Sequence, residues 1–293
     1  MTRIENTNVP SLIAQTRLTQ NTDILHKAME RLSSGYRINR SSDDAAGLSI
    51  SENLTSEIRR MQQASRNTQD GIGLLQVAEG SLSVIEENLQ RVRELTVQAG
   101  NDTNSTTSRQ AISNEIQTLL GDIDRIAQSS NFNGYMLLDG SPKPEAYIQI
   151  GPNSNATTNV VDIAPVLQDS SSQGLTLVGG ATTAGFANIV AVNLSNSTNA
   201  LNFLQDIDNA LDKVSLMRAN IGSYQNKLQS VSDNLSASIN NFTQSNSQIR
   251  DADVAAESAT MSQAQVLTQA STMILSQTNQ LPQMILQLLK QSS

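Results

Sequence analysis

Apolar residues recur at every seventh position between residues 207 and 249. The residues at this spacing are Ile207, Val214, Ile221, Leu228, Leu235, Phe242 and Ile249. The turns between them are filled by Leu204, Leu211, Met217, Tyr224, Val231 and Ile239. The other positions are mostly Asn, Ser, Gln, Asp and Lys, and no proline interrupts them. This pattern predicts one long helix with an apolar stripe that packs against another helix.

The length of this helix sets the expected shape of the molecule. At about 1.5 Å per residue it would be roughly 65 Å long, whereas a compact chain of this size would be only about 50 Å across. We therefore predict a mainly α-helical, elongated rod built from long coiled-coil-like helices.

A second helical block is predicted for residues 45 to 99. Within it, steps of four and three residues separate Ala78, Leu82, Ile85, Leu89, Val92 and Thr96. Gly71, Gly73 and Gly80 each lower helix stability by up to about 1 kcal/mol relative to alanine, so the pattern leaves open a break or kink there. A third, shorter helix follows a polar loop and runs to about residue 128. We expect these helices to share a core with the long one.

The amino-terminal part of the chain also carries an apolar stripe at helical spacing. Residues 1 to 35 predict a helix that ends near Gly35, because glycine suits the left-handed conformation that closes a helix. A polar connector follows, in which Ser41 or Ser42 is expected to cap the second helix. His26 lies in the first helix, where we expect it to face solvent.

The carboxy-terminal part mirrors the amino-terminal one. Asp251 and Asp253 mark a joint after the long helix, and a last amphipathic segment follows. Pro282 lies inside this segment and is expected to kink it or to end its main run.

Between the predicted helices, the periodicity changes from helical to extended. Residues 131 to 134 predict a turn, and residues 135–138 and 147–150 predict the two strands of a small β-hairpin. Residues 152 to 199 are rich in Ser, Thr, Asn and Gly and predict a modest β-rich excursion with many loops. Its short apolar runs lie at 160–166, 175–178 and 189–194.

Composition excludes several classes of function. The net charge of −8 comes without a concentrated basic surface, which argues against binding of nucleic acid. The chain has no cysteine, which removes disulfides, thiol catalysis and thiolate metal sites. No apolar run approaches the roughly 18 residues of a membrane span, and residues 1–10 lack the apolar region of a general secretory signal. We expect no enzyme activity, no cofactor, no metal site and no membrane contact.

Six segments carry a more specific pattern. They are ERLSSGYRINRSSDDAAGLSIS (30–51), QASRNTQDGIGLLQVAEGSL (63–82), NLQRVRELTVQAGN (88–101), NFNG (131–134), SQIRDADVAAESATMSQAQVLTQA (247–270) and NQLPQMILQLLK (279–290). Together they resemble bacterial flagellin, the subunit of the flagellar filament. The resemblance covers both ends of the chain and is weakest between about 140 and 200.

The resemblance implies a two-part architecture. Residues 1–44 and 251–293 would pair as an inner terminal coiled coil, and residues 45–250 would form an outer helical domain. That outer domain would include the β-hairpin and loop-rich excursion at about 135–200. The resemblance also implies an extracellular homopolymer for swimming motility, whose other partners would be the flagellar export apparatus, a chaperone, and the hook-associated and cap proteins.

The apolar stripes of the two chain ends are the expected polymerisation contacts. A single chain would not bury them fully, so neighbouring subunits would cover them as the filament forms. The residues we assign to these contacts are Leu12, Leu25, Leu32, Leu267, Ile274, Leu281, Ile285 and Leu288.

A further contact is implied by the segment from Leu89 to Leu95, which looks like the stretch of flagellin that the vertebrate Toll-like receptor 5 recognises. Leu89 and Val92 would face the core, while Arg91 and Glu94 would project outward and Glu115 would extend the polar patch. The receptor or a neighbouring subunit would thus meet a surface made by Leu89, Gln90, Arg91, Glu94 and Glu115.

Three other hypotheses compete with a filament subunit. A hook-filament junction protein shares flagellin-like ends and is the nearest alternative. A coiled-coil adaptor would form small oligomers and no fibres. An enzyme on a similar scaffold would need reactive residues between 140 and 200, where there is no His, Cys, Arg or Trp.

Overall fold

The computed structural model describes residues 8–140, 146–153, 155–168, 170–171, 174–175, 194 and 196–291. Its helices are α1 (Val9–Ser34), α2 (Ala45–Ala99), α3 (Thr106–Ser129), the single turn α4 (Ala156–Asn159), α5 (Ser197–Arg250) and α6 (Val254–Gln291). The strands in the described part of the chain are β1 (Asn131–Phe132), β2 (Tyr135–Met136), β3 (Tyr147–Gln149) and β4 (Val160–Asp162). A 3-10 turn spans Ala164–Val166. The predicted mainly α-helical class with long helices is confirmed.

The chain divides into two compact units. Residues 1–58 and 240–293 form the first, which we call the terminal unit. Residues 59–239 form the second, which we call the central unit. The functional division at residues 44 and 251 stays a prediction.

The central unit has a core of large aliphatic side chains from α2, α3 and α5. Its fully buried members include Leu75, Leu82, Ile85, Leu89, Ile116, Ile123, Ile207 and Ile221. The heptad stripe predicted on α5 is buried from Ile207 to Leu235. The expectation that three helices share a core is thus confirmed.

The helix α2 runs without a break through its glycines. Gly71 lies where β3 packs on the helix, and a Cβ there would stand 2.3 Å from Cδ1 of Ile148. At Gly80 an added Cβ would meet nothing within 4 Å. The break left open by the sequence does not occur, because core packing outweighs the weak helix propensity of a few glycines.

The strands pair differently from the prediction. Strand β1 pairs with β2 across Asn133 and Gly134, whose φ angles of 51° and 81° suit the tight turn that links neighbouring antiparallel strands. Strand β3 pairs with β4. The predicted hairpin between 135–138 and 147–150 is therefore wrong, because the Asn-Gly turn closes a hairpin of its own.

Only part of the predicted β-rich excursion is described. The apolar run at 160–166 forms β4 and the 3-10 turn. Leu175 and Leu194 are buried against the core of the central unit. The remainder of the runs at 175–178 and 189–194 lies outside the described residues.

The ends of the helices in the terminal unit follow from local chemistry. Helix α1 closes at Gly35, which has φ of 74° and donates its N–H to the carbonyl of Arg31, as predicted. The Asp44 carboxylate accepts the N–H of Gly47 at 2.8 Å and so caps α2. The expectation that Ser41 or Ser42 forms this cap is wrong, since α2 begins at Ala45 and its cap must be the residue before it.

The predicted joint between α5 and α6 is confirmed at residues 251–253, where Asp253 accepts the N–H groups of Ala255 and Ala256. Helix α6 then runs through Pro282 to Gln291. The alternative that Pro282 ends the helical run is wrong. Proline removes the N–H that the Thr278 carbonyl, one turn earlier, would accept. The side-chain nitrogen of Asn8 donates to that carbonyl instead.

Candidate functional site

Helices α1 and α6 pack against each other within the terminal unit. The side chains buried between them are small: Ala14, Ala28, Ala264 and Ser271 are at most 8% exposed. Leu18, Leu25 and Leu32 of α1 share this contact side at one-turn or heptad offsets and are half-buried. The pair therefore has a narrow seam that buries little apolar surface per residue.

Other large apolar side chains of the two helices face outward. On α1, Leu12 and Ile13 are 57% and 58% exposed. On α6, Leu267, Met273 and Ile274 are 42%, 69% and 53% exposed. An apolar groove between the helices is lined by Val9, Ile13 and Ile274, with Arg17 also at its wall. Clustered exposure of large apolar side chains is typical of a surface that another molecule covers.

The predicted polymerisation residues fall into three groups in the structure. Leu12, Leu267 and Ile274 are exposed, whereas Leu25 and Leu32 are half-buried in the seam. Leu281, Ile285 and Leu288 lie in the last part of α6, outside the residues whose side chains are described. Among those with described side chains, the predicted set thus contains both exposed residues and residues that are half-buried between the two helices.

Polar contacts cross the seam at intervals, and the sequence interpretation missed all of them. Asn21 donates to Ser271 Oγ at 3.0 Å, and Arg31 lies 3.6 Å from Glu257. At the other end of the pair, Asn8 donates to the carbonyl of Thr278 at 2.9 Å, and Ser11 donates to Asn279 at 2.7 Å. The available signal was the presence of Asn and Ser at seam positions of otherwise apolar stripes.

The connector after α1 pairs with the joint before α6, again within the terminal unit. Arg37 N–H donates to the Arg250 carbonyl at 2.6 Å, and Ala252 N–H donates to the Gly35 carbonyl at 2.9 Å. The guanidinium of Arg250 lies 4.6 Å from the centre of the Tyr36 ring. These bonds hold the two non-helical segments of the terminal unit together.

Asp43 holds the connector to α1. Its carboxylate lies 2.8 Å from the Lys27 ammonium and accepts the N–H groups of Asn39 and Arg40 at 3.2 Å each. The hydrogen bond from Lys27 lowers the pKa of Asp43 to about 2, with help from the two backbone N–H groups and against the opposing effect of burial. The carboxylate therefore serves the connector as a charged anchor.

The segment that resembles a receptor-binding stretch lies on α2 in the central unit. Arg91 is exposed and bonds to Glu94 and to Glu115 of α3, at 3.0 Å each. The hydrogen bonds from Glu115 and Glu94 raise the pKa of Arg91 above its ordinary value. Gln90 is also exposed, but Leu89 is fully buried. The Leu89 side chain therefore supports this surface from the core and does not itself meet a partner on the folded chain.

Two family models match this chain. The bacterial flagellin N-terminal helical region matches residues 6–143, and the bacterial flagellin C-terminal helical region matches residues 204–289. A flagellin of Bacillus subtilis strain 168 is 41% identical to the chain, over 97% of this chain and 99% of that protein. The chain belongs to the bacterial flagellin family.

Other flagellins extend the comparison. A flagellin of Halalkalibacterium halodurans is 39% identical over 98% of this chain and 100% of that protein. The crystal structure of a Bacillus cereus flagellin is 31% identical, covers 58% of this chain and 88% of that one, and has a TM-score of 0.46. None of these matches favours the hook-filament junction alternative.

Family membership fixes the broad function. This flagellin is a structural subunit of the extracellular flagellar filament, a self-assembling homopolymer, and it is not an enzyme. His26 is exposed on α1, as expected. Across the part of the chain that the structure describes, no cluster of His, Cys, Asp or Glu could hold a metal ion. No described helix is long and apolar enough to span a membrane.

Proposed function

We propose that the α1–α6 pair is the element through which this flagellin polymerises. The observation that supports the proposal is the distribution of side chains: the fully buried seam positions carry alanine and serine, whereas large apolar residues such as Leu12 and Ile274 are exposed. Each large apolar side chain that a neighbouring subunit covers contributes roughly 1.5–3 kcal/mol. The residues we assign to these contacts are Leu12, Leu25, Leu32, Leu267, Ile274, Leu281, Ile285 and Leu288.

Assembly and ordering of the chain ends would then be one event. Ordering a backbone residue costs about 1–2 kcal/mol, and a seam whose fully buried positions are alanine and serine offsets little of this in a single chain. Contacts from neighbouring subunits supply the remainder. Residues 1–44 and 251–293 would therefore be disordered in the free subunit and helical in the filament.

Charge on the outward face of α6 tests this function. The change Leu267→Asp with Ile274→Asp should raise the concentration of free subunit in equilibrium with filaments by about 100-fold or abolish filaments, because the buried charges would lack partners. The matched control is Gln265→Asp with Thr272→Asp, which has the same spacing and charge at exposed polar positions of α6. Sedimentation and electron microscopy give the readout.

This comparison shows whether the outward face of α6 contacts neighbouring subunits in the filament. Normal filaments from the Leu267 and Ile274 variant would overturn the proposal. Equal loss in the control variant would assign the effect to net charge and would overturn it as well.

The family resemblance also supports partners beyond the homopolymer. We infer that the chain leaves the cell through the flagellar export apparatus with the help of a chaperone, and that it meets the hook-associated and cap proteins at the filament. Family membership is what supports these partners.

A second proposed contact is the surface formed by Gln90, Arg91, Glu94 and Glu115. Arginine suits the centre of a protein interface, since it presents a planar set of donors on a long apolar stem. We propose that this surface binds Toll-like receptor 5 in the free subunit and lies against a neighbouring subunit in the filament.

The receptor proposal makes a measurable prediction. Arg91→Ala with Glu115→Ala should weaken receptor activation by the free subunit about tenfold or more, on the usual scale for a central interface residue. The control is Arg125→Ala with Asp122→Ala, which removes another exposed ion pair, within α3. Equal signalling by the wild-type and Arg91 variants, with both folded, would refute the assignment, and intact filaments should signal less than free subunits.

A further inference from the structure

The side chain of Asn8 makes two hydrogen bonds, one at the start of α1 and one to α6. Its side-chain oxygen accepts the N–H of Ser11 at 3.2 Å and thereby caps α1. Its side-chain nitrogen donates to the carbonyl of Thr278 on α6 at 2.9 Å. One side-chain amide therefore caps the N-terminus of α1 and also contacts α6.

The carbonyl of Thr278 differs from its neighbours for a reason that the sequence supplies. In an α-helix a carbonyl accepts the N–H of the residue four positions later. For Thr278 that residue is Pro282, which has no N–H. The helix thus presents a carbonyl that lacks its regular donor, and the Asn8 amide supplies a donor at that place.

Because the fully buried residues of the seam are small, a specific polar contact is useful for fixing the register of the two helices. The fully buried seam positions carry alanine and serine, which offer few shape differences, and the half-buried Leu18, Leu25 and Leu32 repeat every seven residues. A slip of α1 by one heptad along α6 would therefore cost little in packing. Polar residues in a coiled-coil seam are known to fix register at the expense of some stability. After a slip by seven residues, Asn8 would face the carbonyl of Ser271, whose regular donor is the N–H of Leu275.

We propose that Asn8 sets the register of α1 against α6 by recognising the carbonyl that Pro282 leaves without a helical donor. Asn21, which donates to Ser271 in the seam, supports the same register from a position further along the pair. This inference rests on the proposed role of the α1–α6 pair in polymerisation. It assigns to Asn8 and Pro282 a joint role in selecting one alignment of the two helices.

Substitution at Asn8 can separate its two bonds. Asn8→Ser keeps an oxygen that caps α1 but is too short to reach α6, whereas Asn8→Ala removes both bonds. Pro282→Ala restores the N–H that Thr278 lacks. We expect Asn8→Ser to raise the free-subunit concentration at equilibrium about three- to tenfold in the Pro282 background, the range for one hydrogen bond. In the Pro282→Ala background the Thr278 carbonyl already has a helical donor, so loss of the Asn8 bond costs less. We therefore expect Asn8→Ser to change the free-subunit concentration there by less than about twofold.

Cross-linking reports the register directly. The native chain has no cysteine, so introduced thiols have no competitors. Ser11→Cys with Asn279→Cys marks the native register, since these side chains are 2.7 Å apart. Ser11→Cys with Thr272→Cys marks a one-heptad slip. Addition of Asn8→Ser to each pair should lower the native cross-link within a subunit and raise the slipped one at least about threefold, in line with the free-subunit change.

Several outcomes would overturn the register role. Asn8→Ser could match the wild type in both measurements, or it could have equal effects in the native and Pro282→Ala backgrounds. If Pro282→Ala does not assemble, the cross-links in the native background give the answer. A slipped register in Asn8→Ala alone would assign the effect to capping and overturn the proposal. An equally slipped register in both Asn8 variants would support it. Normal filaments from the Leu267 and Ile274 variant would instead refute the polymerisation role itself.

Discussion

The buried positions of the central unit include many leucine, isoleucine and valine residues, whereas the fully buried positions between α1 and α6 carry only alanine and serine among the described residues. In the central unit, Leu82, Leu89 and Ile221 are fully buried. In the terminal unit, residues of similar size, such as Leu12 and Ile274, are more than half exposed. Burial of each large side chain contributes roughly 1.5–3 kcal/mol. The central unit can therefore be stable within one chain, whereas we expect the α1–α6 pair to depend on a neighbouring subunit.

The largest expected difference between the two regions is in hydrogen exchange. In dilute free subunit, the amides of α1 and of residues 267–275 should exchange within about tenfold of an unstructured peptide, whereas core amides such as those of Leu82 and Leu89 should be protected by about 10⁴-fold or more. Mass spectrometry of exchanged subunit, and then of filaments, measures both. Strong protection of residues 267–275 in the dilute subunit would break the comparison.

A smaller effect is expected from glycines in the helices of the central unit. Gly80→Ala and Gly222→Ala should each raise the free energy of unfolding by about 0.5–1 kcal/mol, because alanine favours the helix and an added Cβ meets nothing within 4 Å. Gly71→Ala should lower it by about 1–3 kcal/mol, because its Cβ would stand 2.3 Å from Cδ1 of Ile148.

Urea unfolding of the full chain measures these changes. The clash at residue 71 can be checked by combining Gly71→Ala with Ile148→Val, which removes the conflicting methyl group and should recover part of the loss. A stabilising Gly71→Ala, with no benefit from Ile148→Val, would show that β3 does not pack tightly on α2.

The smallest expected effect concerns Asp43 and acid. Its folded-state pKa of about 2 is below the ordinary value of 3.8, so its contribution is present above about pH 4 and is lost as the pH falls towards 2. In filaments at neutral pH, Asp43→Asn should raise the free-subunit concentration modestly. Between pH 4 and 2, filaments of that variant should lose less stability than wild-type filaments.

The cause of this pH dependence can be tested at Lys27. Lys27→Gln removes the hydrogen bond that contributes most to the low pKa of Asp43 and should move the loss of stability to higher pH. An unchanged pH profile in both variants would show that Asp43 does not anchor the connector in the filament.

Sequence periodicity predicts the helices well because it follows directly from which residues face a core. The heptads of α5 were accessible in this way, while the end of α1 at Gly35 and the joint at 251–253 were accessible from the residue types that end helices. Strand pairing was not, since alternation shows that a segment is extended but does not name its partner. The Asn133-Gly134 turn could have corrected the pairing, because both residues readily adopt positive φ.

The candidate site was harder to predict for a different reason. Leu12 and Leu25 both belong to the apolar stripe of α1, but the first faces outward and the second lies in the seam. Periodicity reports a stripe and does not say which part of it the chain itself covers. The bond between Asn8 and Thr278 joins residues 270 positions apart, so no local pattern could have indicated it. The cap at Asp44 was missed because three other polar residues stand close by.

The pairing of α1 with α6 also affects when, during synthesis of the chain, the two helices can meet. Helix α1 is made before α6, and the whole central unit lies between them in the sequence. Contacts across such a separation form late, because the intervening chain must be in place before the two segments can meet. A more apolar seam would favour binding of α1 to other surfaces before α6 exists. Because the fully buried seam positions of α1 are alanine, we expect this helix to gain little by folding before α6 has been made.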